Sequence, residues 1–151
     1  MKWVTRRRAM VDRIACPWLI KNFVDKKAEF LFAQEGEVMN VAKTEGAIPF
    51  DVMGAELYHY YDEIGNEYVS FDAIIKKYRL NDPALLELAK IVRGADAHNP
   101  HDAPAESAGL KAAARGFREI SADDHQNMEL QFPLYDALYR YCQLKLTSST
   151  G

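Results

Sequence analysis

The stretch that most constrains this chain is residues 122–142, ADDHQNMELQFPLYDALYRYC. Met128, Phe132, Tyr135, Leu138, Tyr139 and Cys142 recur at three- and four-residue steps, the spacing of one stripe along a helix. His125 lies three residues before Met128, on the same stripe and in the first turn. Glu129 follows His125 by four residues, so the two side chains stand one above the other and can reach one point. Ser121 with Asp124 reads as the start of a capping box. A helix N-terminus disfavours the imidazolium form, so a histidine there is expected to stay neutral, as a metal requires. We therefore expect His125 and Glu129 to supply half of a metal site. The competing reading is a buried histidine bonded to its carboxylate neighbour. Pro133 cannot take an ordinary interior helix position, which predicts a bend or restart near residues 131–132.

The other segments supply what this helix packs against. KWVT at residues 2–5 has the composition of a strand. In residues 12–23, DRIACPWLIKNF, Pro17 suits a first helical position, with Trp18, Leu19, Ile20 and Phe23 as the apolar face behind it. Asp12 and Arg13 then fall just outside that helix. EFLFA at 29–33 predicts a second strand, residues 38–43 a short helix ended by Gly46, and IPFDV at 48–52 a brief edge segment. ELYHYY at 56–61 and YVSF at 68–71 flank a turn at Gly65 and Asn66, a hairpin pattern that places His59 on the face of Leu57 and Tyr61. Ser70 is read as the cap of a helix over 71–78. Pro83 and Gly94 bracket a helix over 84–93, leaving Asp96 in the following loop. An Ala-rich helix over 105–120 carries Gly109 and Gly116, either of which allows close packing. The expected fold is α+β: a small N-terminal β-sheet packed by a helix-dominated C-terminal layer, with Trp18 and Phe32 in the core.

A chain of 151 residues, 48% of them apolar, suits one globular domain. Residues 1–146 are expected to form it, and residues 147–151, TSSTG, a disordered polar tail. No apolar run approaches the roughly 18 residues needed to span a bilayer, and MKWVTRRRAM is no secretory signal. A cytoplasmic location without membrane contact is the default. A net charge of −3 and a pI near 5.8 argue against nucleic-acid binding by this domain alone. Arg6, Arg7 and Arg8 are the local exception, read as a solvated edge. Cys16 and Cys142 are too few for a disulfide framework and are expected to be buried.

Taken together, His59, Asp96, His125 and Glu129 form a ligand set suited to a divalent transition metal, namely iron, manganese or zinc. His98 and His101 are rival histidines, but AHNPH sits in a proline-interrupted loop where solvation is the default. There is no nucleophile elbow, P-loop or dinucleotide fingerprint.

Eight phrases occur in order: KWVT, DRIACPWLI, AEFLF, IPFDV, SFDAII, NDPALLELAKIVRGAD, ADDH and LYDALYRYC. Together they resemble the chromate-resistance domain, the C-terminal half of the ChrB-type chromate-sensing regulators, over nearly the whole chain. The resemblance implies a bacterial protein associated with chromate resistance or sensing, and it supports pairing His59, Asp96, His125 and Glu129. Full-length regulators of this type carry an additional N-terminal half expected to hold the DNA-binding function, so this chain is not expected to be a complete repressor. Chromate is a dianion, so the partner expected for such a domain is chromate or another small oxyanion, held by a metal flanked by Arg13 and Arg93. The alternatives are a metal-dependent redox or hydrolytic enzyme and a non-metal interaction domain. A homo-oligomer is left open.

Overall fold

The computed structural model describes residues 1–148. Three parallel strands form the sheet, in the order β2-β1-β3: β1 (Lys2–Arg6), β2 (Glu29–Ala33) and β3 (Ile48–Pro49). Trp3, Val4 and Thr5 are all buried, because both faces of a parallel sheet are covered. Trp3 points into the main core with Phe30 and Phe50, and Val4 into a smaller one with Ala33, Val38 and Val52. That alternation is the period of a strand. The smaller core is closed by α2 (Val38–Glu45), which ends at Gly46 in the left-handed conformation.

The connection from β1 to β2 is α1 (Asp12–Leu19), which continues as a π-helical turn over Ile20–Val24. Here the expected start is corrected. Pro17 lies inside the helix, and Asp12 and Arg13 belong to its first turn. A proline interrupts the usual hydrogen-bond ladder, and just beyond it the ladder widens, with Asp25 N–H donating to Ile20 C=O at 2.7 Å.

The hairpin exists but is short, β4 (Tyr60–Tyr61) against β5 (Glu67–Tyr68). His59 precedes it, so the expected alternation fails: Leu57 is buried while Tyr61 is exposed. Next, α3 (Ser70–Lys77) is capped by Asp72, whose carboxylate accepts the Val69 N–H at 3.0 Å. Ser70 is not the cap; its hydroxyl donates elsewhere, to Asp51.

The C-terminal layer is α4 (Pro83–Asp96), α5 (Glu106–Ile120) and α6 (Asp124–Ser148), packed on one another and on α1. Gly94 does not end α4. The helix runs on to Asp96, and Gly94 lies where α5 comes closest, against Ser107 and Ala103. Gly109 and Gly116, by contrast, have nothing near them. The last helix runs unbroken through Pro133 and on through Thr147 and Ser148, so part of the expected tail is helical; residues 149–151 lie outside the described residues. Among the described residues, no helix is long and apolar enough to cross a membrane.

Helix α6 packs the expected apolar stripe on the main core, with Tyr135 and Cys142 buried, and a polar stripe beside it holds the chain. Asp124 accepts the backbone N–H groups of Arg8 and Ala9 at 3.1 and 2.8 Å. Asn127 donates to Ala9 C=O, Gln131 to Met10 C=O, and the Tyr135 hydroxyl to Val11 C=O. Residues 124, 127, 131 and 135 thus read the backbone of residues 8–11 one turn at a time, and so set where α1 begins.

Candidate functional site

That anchoring places Asp12 at the N-terminus of α1, nearly fully buried. One carboxylate oxygen accepts Ser70 N–H at 2.8 Å; the other accepts Phe71 N–H at 3.2 Å and lies 3.3 Å from the Cys16 thiol. A carboxylate is stabilised at a helix start, here that of α3. Asp96, the last residue of α4, returns the pattern by accepting Asp12 N–H at 3.3 Å. Asp51 follows β3 at φ 52°, a left-handed conformation that aspartate tolerates better than most side chains. Its Oδ1 accepts the Ser70 hydroxyl at 2.8 Å, and its Oδ2 lies 3.4 Å from the guanidinium groups of both Arg6 and Arg13.

These three carboxylates converge on one nitrogen. His59 Nε2 lies 3.2 Å from Asp51, 3.4 Å from Asp96 and 3.6 Å from Asp12. One N–H cannot serve three acceptors, and the distances stand at or beyond the long end of N–H···O bonds. The other face of the ring is also occupied: Nδ1 lies 3.7 Å from Glu67, and the same Glu67 oxygen lies 3.6 Å from His98 Nδ1. Two groupings therefore have metal-ligand spacing, His59 with Asp12 and Asp51, and His59 with Glu67 and His98. The first is enclosed. The second opens outward, because the His98 side chain is 89% exposed. His59 also lines an open cavity of about 580 Å³ with Leu57, Tyr58, Tyr60, Ala73 and Lys76.

The electrostatics follow from this crowding. Burial works against a charged His59, but the surrounding carboxylates outweigh it and push its pKa up to about 12. Burial, reinforced by the charges of Asp96 and Asp51, raises Asp12 to about 7. Asp51 stays below the usual carboxylate range: burial opposes this, but His59 and the Ser70 hydroxyl prevail. Glu67 is likewise held low against its burial, because the backbone N–H groups of His98 and Asn99 bind its carboxylate at 2.9 and 3.3 Å. The Cys16 thiol, buried and beside Asp12, is pushed well above its ordinary value, which makes it a poor nucleophile.

Of the four ligands expected from the sequence, the structure brings His59 and Asp96 together. It does not bring His125 and Glu129 to them. Both are exposed, neither belongs to either grouping, and the His125 ring stands edge-on to Phe32 at 5.2 Å. The physical reason is the rotation of α6: the face that binds the chain is the 124, 127, 131, 135 stripe, and His125 and Glu129 are turned off it by a residue or two. The two expected anion-binding arginines have internal partners. Arg93 makes a paired contact with Asp72 at 3.0 and 2.8 Å and lies over the Tyr68 ring. Arg13, besides Asp51, donates to the carbonyls of Arg6 and Arg7.

Sequence reasoning does not single out Asp51 and Glu67, it places Asp12 outside α1, and it expects His98 to be solvated. Asp51 carries a signal, since it is an acid inside the apolar run Ile48 to Val52, and a buried acid needs partners; Asp12, with Arg13 beside it, reads as an ordinary solvated pair. Glu67 and His98 had none, because only the fold joins the hairpin to the loop after α4.

The ChrB C-terminal domain family matches residues 3–142. Protein ChrB of Cupriavidus metallidurans is 30% identical over 141 residues, covering 93% of this chain and 40% of that protein. The chain thus spans about two fifths of the length of that relative. No solved structure matches the chain significantly.

Proposed function

This chain belongs to the ChrB C-terminal domain family, and from that premise we propose that it is a metal-binding domain acting in chromate resistance or chromate sensing, with a divalent iron, manganese or zinc ion held around His59. The observation that carries the metal reading is the convergence of Asp12, Asp51, Asp96 and Glu67, from four separate segments, on one imidazole. Mixed imidazole and carboxylate donors suit these borderline and harder cations, and the ion would replace the proton that the carboxylates otherwise hold on His59, so uptake would release that proton. The metal would give the cleft a positive centre to which a small oxyanion such as chromate can bind. The arginines add less than their number suggests, because Arg13 and Arg93 already have carboxylate partners.

Elemental analysis of the purified protein by mass spectrometry tests this. One equivalent of iron, manganese or zinc per chain is expected, and His59→Ala should lose it while keeping its circular dichroism spectrum. A protein that carries no such metal, and retains none after incubation with each ion and desalting, refutes the reading.

A further inference from the structure

Two groupings share the His59 ring but use different nitrogens, so they make different claims about where an ion sits. We infer that the ion is bound on the outer side, by His59 Nδ1, Glu67 and His98, and that Asp12, Asp51 and Asp96 are not ligands but hold the opposite nitrogen. This rests on the metal reading above and adds the ligand set, the nitrogen and the open coordination positions.

A metal-bound histidine nearly always gives its other N–H to a carboxylate or carbonyl, which sets tautomer and ring orientation. His59 meets that condition in one direction only. Nε2 has Asp51 at 3.2 Å, with Asp96 and Asp12 flanking. Asp51 in turn is fixed by the Ser70 hydroxyl, Arg6 and Arg13. On the other side, Nδ1 faces Glu67, whose orientation is fixed by two backbone N–H groups of the loop that carries His98. Each of these hydrogen bonds leaves the Glu67 oxygens a further lone pair for an ion.

The inner grouping suits an ion less well. The Asp12 and Asp51 side chains are 1% and 4% exposed, and their oxygens already bind helix N–H groups, a hydroxyl and two guanidinium groups. An ion there would have to shed all its water. The outer grouping offers two imidazoles and one carboxylate, the set used where a metal keeps positions open for water or a further ligand. His98, almost entirely exposed, gives the entry path. The ligand class for the open positions is a small anion or neutral oxygen donor, exchanging with water.

The test uses the whole chain, ¹⁵N-labelled at histidine and loaded with ¹¹³Cd²⁺, together with Zn²⁺ calorimetry. Scalar coupling from cadmium is expected at His59 Nδ1 and at one nitrogen of His98. Zn²⁺ affinity should fall more than about tenfold in His98→Ala, the least that loss of even a supporting group of a metal-bound histidine causes. Asp51→Asn, a positioning change, should weaken Zn²⁺ about 10- to 100-fold while coupling stays on Nδ1. Coupling at His59 Nε2, or unchanged Zn²⁺ affinity in His98→Ala, overturns this inference and leaves the metal reading standing. No coupling to His59 and no Zn²⁺ uptake overturns both.

Discussion

Gly94→Ala sets two opposite forces against each other, helix propensity and the close packing of α4 on α5. In a helix interior alanine is favoured over glycine by about 1 kcal/mol. At Gly94 the added Cβ would overlap Ser107 Oγ and lie 2.9 Å from Ser107 Cβ and 3.0 Å from Ala103 Cβ. Ser107 is buried and donates to Ile91 C=O at 2.8 Å. Moving it aside leaves a buried carbonyl underused, a loss of about 1–3 kcal/mol. The displaced contact between α4 and α5 adds about 1–3 kcal/mol of overpacking. Packing therefore wins over propensity, with a net loss of about 3 kcal/mol. At roughly 2–4 °C per kcal/mol for a chain of this size, the melting temperature should fall by about 6–12 °C. Thermal unfolding followed by circular dichroism measures it. The same substitution in a Ser107→Gly background, where only the Ala103 contact remains, should cost less than half as much. If Gly94→Ala raises the melting temperature, or the two changes prove additive, the close approach of α4 and α5 is wrong.

Further outcomes follow from the same contacts. Arg93→Met should destabilise by about 3–5 kcal/mol, because it leaves the nearly buried Asp72 without its cation; Arg93→Lys, lacking the planar fork, should recover only part of this in urea titration. His125→Ala and Glu129→Ala, off the buried face of α6, should leave metal content unchanged and stability within about 0.5 kcal/mol by calorimetry. Tyr139 is raised to about 12 by burial and by its 2.6 Å bond to Asp82. The folded chain therefore holds that proton more tightly than the unfolded one. The resulting stabilisation is complete below pH 10 and disappears as pH rises towards 12. Absorbance titration at 295 nm should show a late tyrosine component that includes Tyr139 and the buried Tyr135, and part of it should move earlier in Asp82→Asn.

Strand β1, strand β2, the Gly46 stop and the helices of the C-terminal layer were legible because each rests on local chemistry: β-branched and aromatic content, a left-handed glycine, a proline near a helix start. His59 and Asp96 were legible as candidates because imidazole and carboxylate groups have few ordinary reasons to sit beside apolar segments. Extending that reasoning to His125 failed for a definable cause. An apolar stripe predicts which face of α6 is buried, but polar residues that bond to backbone can occupy the buried face as well. Asn127 and Gln131 do so against Ala9 and Met10, beside the apolar stripe and on the side away from His125.

From the sequence alone follow the α+β class, the longer strands and most helix positions, which depend on periodicity and local composition carried along the chain, and the family, which rests on the resemblance of eight ordered phrases. The tertiary structure alone decided that Asp12, Asp51, Glu67 and His98 surround His59, and that Gly94 is a contact point. Contacts between residues as far apart as Asp12 and Asp96 depend on how whole helices dock and rotate. Docking is set by the sum of many buried contacts, and no single segment of the chain encodes it.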